Sequence, residues 1–248
     1  MAEITELNFY VCPYCLSDKL SLESEKINCQ DCHQTYIWSK NRVPHFRVDE
    51  RAEKSKLKDH QPAKNESDLT LDIGAGNLQE GKINIDLRSL PGIDVVCNGL
   101  YLPFRDGTFS KVTHNQVIEH VIYAEAKQLL EEIHRVLKPG GILEFWTPNF
   151  QALGVFQAWL KAPIDTVNHP RLPLAYCTLS GVQDYPENVH ISLWTRKLIK
   201  LYTEEVGFKM IKNISEQEYS AKFRIMKFIS LLMPNRRGQL HYVGKKPE

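Results

Sequence analysis

Residues 71–87 read LDIGAGNLQEGKINIDL. An apolar strand runs into a glycine turn, and a second strand follows almost at once and ends in Asp86. Gly74 and Gly76 let the backbone turn sharply and approach a ligand closely. Glycines placed like this usually hold a nucleotide-type cofactor at the carboxyl ends of parallel strands. A dinucleotide fold would need a third glycine three residues after Gly76 and an acid about 20 residues on. Gln79 stands at the first of these positions, and the acid arrives early, at Asp86. NAD is therefore disfavoured.

From Asp68 onward apolar runs alternate with helical patterns. LTLDIG, KINIDL, IDVVCN, FSKVTHN and GILEFWTP are predicted strands. Between Ala124 and Leu137, the residues Leu129, Leu130, Ile133, Val136 and Leu137 fall on one helical stripe. Strand and helix in alternation imply an α/β fold with a mostly parallel sheet covered on both faces. A second amphipathic helix is predicted over Thr195 to Val206, stopped by Gly207, and FKMIKNI and QLHYVGKK form a final pair of strands. Tyr219 to Met233 mixes apolar and basic residues at helical spacing, as in a core or lid helix or one that touches a membrane surface.

Ahead of this region, Cys12-Pro-Tyr-Cys15 and Cys29-Gln-Asp-Cys32 form two C-x2-C pairs separated by 13 residues. Two such turns can close a tetrahedral Zn–S4 site, which leaves no position for water and is structural. A module of this size has too little core to fold well without metal. Residues 49–67 are almost wholly polar, a linker composition. The expected organisation is a zinc ribbon over 1–48, a linker over 49–67 and a second domain over 68–248. With 248 residues and a net charge of +1, the chain has room for both and no strong field toward nucleic acid or membrane. Glu3 and Glu6 interrupt the start, and no run of about 18 apolar residues occurs. A cytoplasmic protein is expected, with peripheral membrane contact left open. The oligomeric state is not legible.

Asp72-Ile73-Gly74-Ala75-Gly76 resembles the first motif of class I S-adenosylmethionine-dependent methyltransferases. An ordered series follows: Leu102 to Phe109 as L-P-F-x-D-x-x-F, Asn115 to Val121 at the end of the fourth strand, and Leu137 to Gly141 as the turn into the fifth. The resemblance is to the type 11 methyltransferases, in a subgroup with a shortened first helix, since only Asn77 to Lys82 separate the glycine turn from the second strand. It implies a Rossmann-like doubly wound sheet of seven strands and S-adenosylmethionine as cofactor. Asp72, Gly74, Gly76 and Asn115 would flank the methionine part. Asp86 would accept the ribose hydroxyls. Asn98, Gly99 and Leu100 would line the adenine slot.

The cysteine segment, with its R-V-P-H-F tail, resembles zinc ribbons similar to the Trm112 protein, with Cys12, Cys15, Cys29 and Cys32 as ligands. In quinone-pathway methyltransferases a segment like Asn115 to Val121 reads E-x-x-E-H and can hold a divalent cation. Gln116 replaces the first acid here, which disfavours that metal. Residues 147–194 are long for a strand-to-helix link and fall where this fold commonly carries an acceptor lid. His169, Tyr185, His190 and Trp194 are its candidate groups, with His190 and then His120 as the acceptor-side base. The expected reaction is methyl transfer to an oxygen or nitrogen of a small-molecule or glycan-type acceptor. The alternatives are an RNA methyltransferase whose ribbon contacts RNA and a non-catalytic partner subunit.

Overall fold

The computed structural model describes residues 7–39, 43–48, 68–149, 180–181, 183, 185–212 and 239–248. The linker, His169, much of the expected lid segment and the helix expected between Tyr219 and Met233 lie outside the described residues.

Parallel strands buried on both faces need side chains that are apolar throughout. Only β7 (Val95–Cys97) meets that condition in full; β5 (Thr70–Ile73) and β6 (Ile83–Asp86) are buried nearly throughout but carry Asp72, Asn84 and Asp86, whose oxygens accept backbone amides. They pair in parallel with one another, and β5 also pairs in parallel with β8 (Phe109–Asn115). Next comes β9 (Leu137–Pro148), whose exposure alternates along its length. The antiparallel β11 (Gln239–Lys245) and β10 (Lys209–Lys212) complete that side. Helix α1 (Tyr123–Val136) buries Ala126, Leu129, Leu130, Ile133 and Val136 against the sheet, the stripe expected from sequence. Helix α2 (Arg196–Val206) starts where the Thr195 hydroxyl accepts from the Leu198 amide at 3.2 Å. It stops at Gly207, whose φ of +103° suits a residue without a side chain.

The sheet does not end at seven strands. Residues 20–46 add β1 (Leu20–Glu23), β2 (Lys26–Cys29), β3 (Thr35–Trp38) and β4 (Pro44–Phe46), giving eleven strands in the order β1-β2-β3-β4-β7-β6-β5-β8-β9-β11-β10. The join is parallel, His45 beside Val96 and Phe46 beside Cys97. The cysteine module is thus built into the free edge of the sheet, where a separate appendage was expected. The reason is local: Phe46 is fully buried, its ring tilted against those of Tyr10 and Tyr36 with centroids 5.1 Å away in both cases, and Tyr10 leans on Phe104 at 5.8 Å. One aromatic column therefore spans the ribbon and the α/β core.

The separating helix is indeed absent. Residues 76–78 make one turn. Polar side chains from the strands hold the short connection: Asp72 accepts from the Glu80 amide at 3.0 Å and Asn84 from the Gly81 amide at 3.1 Å. Among the described residues, no helix is long and apolar enough to cross a membrane.

Candidate cofactor and acceptor site

A cavity of about 290 Å³ opens at the carboxyl ends of β5, β6, β7 and β8. That is close to the lower end of small-molecule pockets, ~300 Å³. Each strand end delivers one wall. After β5 comes Gly74, with φ +64°; a methyl group there would meet the Val117 side chain at 2.5 Å, so only glycine fits. β6 ends in Asp86 and is followed by Arg88, and after β7 come Asn98, Gly99 and Leu100. The stretch after β8 supplies Gln116, Val117 and His120, and Tyr185 to Ile191 closes the far side.

Asp86 is buried. One carboxylate oxygen accepts from the Gly76 amide at 3.1 Å, so the glycine turn and the acid form one unit. The same carboxylate accepts from the backbone and guanidinium of Arg88. The Asn98 side-chain oxygen accepts from the Leu100 amide at 3.0 Å and fixes the turn that shapes the Asn98–Leu100 wall. Its second lone pair remains suited to a ligand donor. From α1, Gln128 holds the Leu100 carbonyl at 2.9 Å. Asp72 and Asn115 lie apart from this cavity, beside a smaller space of about 20 Å³ with room for about one water. Burial raises the Asp72 carboxyl above its ordinary range, partly offset by the Glu80 amide and the Thr113 hydroxyl.

At the acceptor end, the 3₁₀ turn Ile118–His120 carries Glu119 and His120. The His120 ring lies edge-on to His190, centroids 4.9 Å apart. The structure therefore brings together the two histidines expected from sequence, His120 on the cavity wall and His190 behind it. His120 Nδ1 donates to the Val189 carbonyl at 3.0 Å. Burial lowers the His120 pKa, and the carbonyls of Val189 and Glu187 partly restore it. Glu119 is fully buried, with Oε2 accepting from Thr147 at 3.0 Å and Oε1 without a hydrogen-bond partner. Burial pushes its carboxyl up to about 8. One ligand atom from each of Glu119, His120 and His190 lies within 4.8 Å of the others. Trp194 fills the space beneath, its indole donating to the Ile118 carbonyl and the Ser192 hydroxyl.

In the ribbon, Cys12 and Cys32 Sγ are 3.6 Å apart, as are Cys15 and Cys29. A zinc ion with bonds of ~2.3 Å in tetrahedral geometry sets sulfur–sulfur edges of ~3.8 Å, so the four thiols fit such an ion. The Tyr36 hydroxyl sits 3.0 Å from Cys12 Sγ.

Residues 63–145 match the methyltransferase domain family. That span covers β5 to β8, α1 and most of β9, the strands around the cavity. A demethylmenaquinone methyltransferase of Renibacterium salmoninarum is 29% identical over 136 residues, 52% of this chain and 56% of the relative. A ubiquinone/menaquinone biosynthesis C-methyltransferase of a Geobacter species is 34% identical over 115 residues, 45% of this chain and 46% of the relative. The chain thus spans about half the length of these curated relatives. Among solved structures, an S-adenosylmethionine-dependent methyltransferase of Mesorhizobium loti aligns with a TM-score of 0.44 at 12% identity, covering 72% of this chain and 90% of that one.

Two groups of the site were not read from sequence. Arg88 follows Asp86 by two residues, a spacing that could have drawn attention to it. Glu119 was read only within the Glu119-His120 segment, because nothing local reveals that its carboxyl is buried.

Proposed function

We propose that this chain is an S-adenosylmethionine-dependent methyltransferase acting on the oxygen or nitrogen of a small-molecule acceptor. One observation carries the reading. A single cavity has an acid locked to a glycine turn on one wall and a histidine, His120, on the other. Asp86 and the turn Gly74–Gly76 suit a ribose diol and the chain attached to it. Asn98, Gly99 and Leu100 suit a purine edge. The bound cofactor supplies a sulfonium methyl group already activated by positive charge.

The protein's task is then alignment and exclusion of water. Val117, Val121, Leu129 and Ile191 make the cavity wall largely apolar. His120 accepts the acceptor's proton as the new bond to carbon forms. The Val189 carbonyl keeps Nδ1 protonated, and the neutral ring then has its lone pair on Nε2. His190, packed edge-on against His120, limits rotation of the ring. The relatives named for quinone biosynthesis favour a small-molecule acceptor over RNA, as does the near-neutral charge.

In the ribbon, Cys12, Cys15, Cys29 and Cys32 would hold a structural Zn2+. Its role is to fix the turns that carry β2 to β4 against β7. The decisive experiment is calorimetric titration of the zinc-loaded protein with S-adenosylhomocysteine, alongside Asp86→Asn. Saturable binding at one site, weakened at least about tenfold by the substitution, is expected from loss of a charged acceptor. No heat of binding would remove the methyltransferase reading.

A further inference from the structure

The Asp86 carboxylate has no acceptor position to spare. An ionised carboxyl offers about four lone-pair sites. Four N–H donors already point at them: the Gly76 amide at 3.1 Å, the Arg88 amide at 2.9 Å, and Arg88 Nε and Nη2 at 3.1 and 3.4 Å. Two of these donors are backbone and come with the turn. The other two belong to the Arg88 side chain, which is 36% exposed. The same guanidinium lies over the Tyr185 ring, 4.2 Å from its centroid. Tyr185 opens the stretch to Ile191 that closes the far side of the cavity. One side chain thus ties the cofactor-binding acid to the acceptor-side wall.

We propose that Arg88 is a built-in competitor for the ribose position and a latch between the two halves of the site. This rests on the methyltransferase reading, in which Asp86 receives the ribose diol. Two hydroxyl donors can reach Asp86 only where Nε and Nη2 now sit. Cofactor binding therefore displaces the guanidinium from Asp86, and with it the hold on Tyr185. The acceptor wall is released only after the cofactor is in place, so cofactor binds first.

The test uses the zinc-loaded full chain and S-adenosylhomocysteine. Arg88→Met removes the donors and keeps an apolar stem against Tyr185. Because a partly exposed ion pair is lost on binding in the wild type alone, R88M should bind roughly two- to fivefold tighter. Raising salt should tighten the wild type toward R88M and leave the affinity of R88M unmoved, since the pair is screened only where it exists. A merely structural arginine would give the opposite sign, weaker binding with a lower melting temperature. Wild-type binding that R88M weakens, at unchanged melting temperature, overturns this inference alone. Binding by neither protein overturns it together with the methyltransferase reading.

Discussion

Arg135→Met should be among the costly substitutions outside the apolar core. Arg135 extends from α1 with its side chain only 6% exposed. It donates to both oxygens of Glu132 at 3.0 Å, to Asp106 at 2.8 Å, and to the carbonyls of Phe104 and Leu102 at 2.6 and 2.8 Å. Glu132 in turn accepts from the Leu102 amide at 2.9 Å. This group pins the turn after the Asn98–Leu100 wall to the helix beneath it. Methionine fills much of the volume but leaves the Glu132 charge buried without its cation. Breaking one partner of a buried pair costs about 3–5 kcal/mol, a large share of the ~5–15 kcal/mol that holds a domain together. With a urea dependence of about 2–3 kcal/mol per molar, the unfolding midpoint should fall by roughly 1–2 M. Tryptophan fluorescence reports it, since Trp194 is fully buried. The same logic says that Arg135→Met with Glu132→Leu recovers at least about 1 kcal/mol relative to R135M, because no charge is then left alone. A midpoint shift under about 0.3 M for R135M, or a double variant no more stable than the single one, would refute the reasoning.

Two further outcomes follow from the sites described above. Burial raises the Glu119 carboxyl to about 8 from an ordinary 4.5, so between those values the folded chain holds a proton that the unfolded chain has lost, and stability falls as pH rises. Glu119→Gln should melt like the wild type at pH 4.5 and be more stable by roughly 3–5 kcal/mol above pH 8; parallel melting curves across that range would reject the account. Tyr36→Phe removes the hydroxyl beside Cys12 and should weaken zinc about 10–100-fold in chelator competition, while unchanged affinity would mean that the contact does not tune the site.

The α/β half was legible because its signals are local. Gly74 and Gly76 announce a turn, strands alternating with helical patterns announce a parallel sheet, and the stripe on α1 announces which face is buried. Asp86, Asn98, Gly99, Leu100 and His120 reached the cavity because each sits at the end of a predicted strand or just beyond it. Asp72 and Asn115 lie one small space away, since a strand's alternation sends neighbouring side chains to opposite faces. The junction of β4 with β7 was not legible. Pairing across about 50 residues leaves no periodic trace, and His45 beside Val96 looks like any two unrelated positions. The partner exchange at Asp86 was hidden for a similar reason: Tyr185 is remote in sequence and meets Arg88 only through the fold.

The β4–β7 junction also bears on what happens when metal is scarce. A strand whose backbone amides face open solvent is a template for another chain. In this molecule β4 covers β7, and it does so only while the four-cysteine module keeps its shape. Chelation should therefore do more than loosen an accessory piece. It should uncover an adhesive border next to the cofactor crevice, so that clumping and loss of ligand affinity set in together, at the same chelator dose.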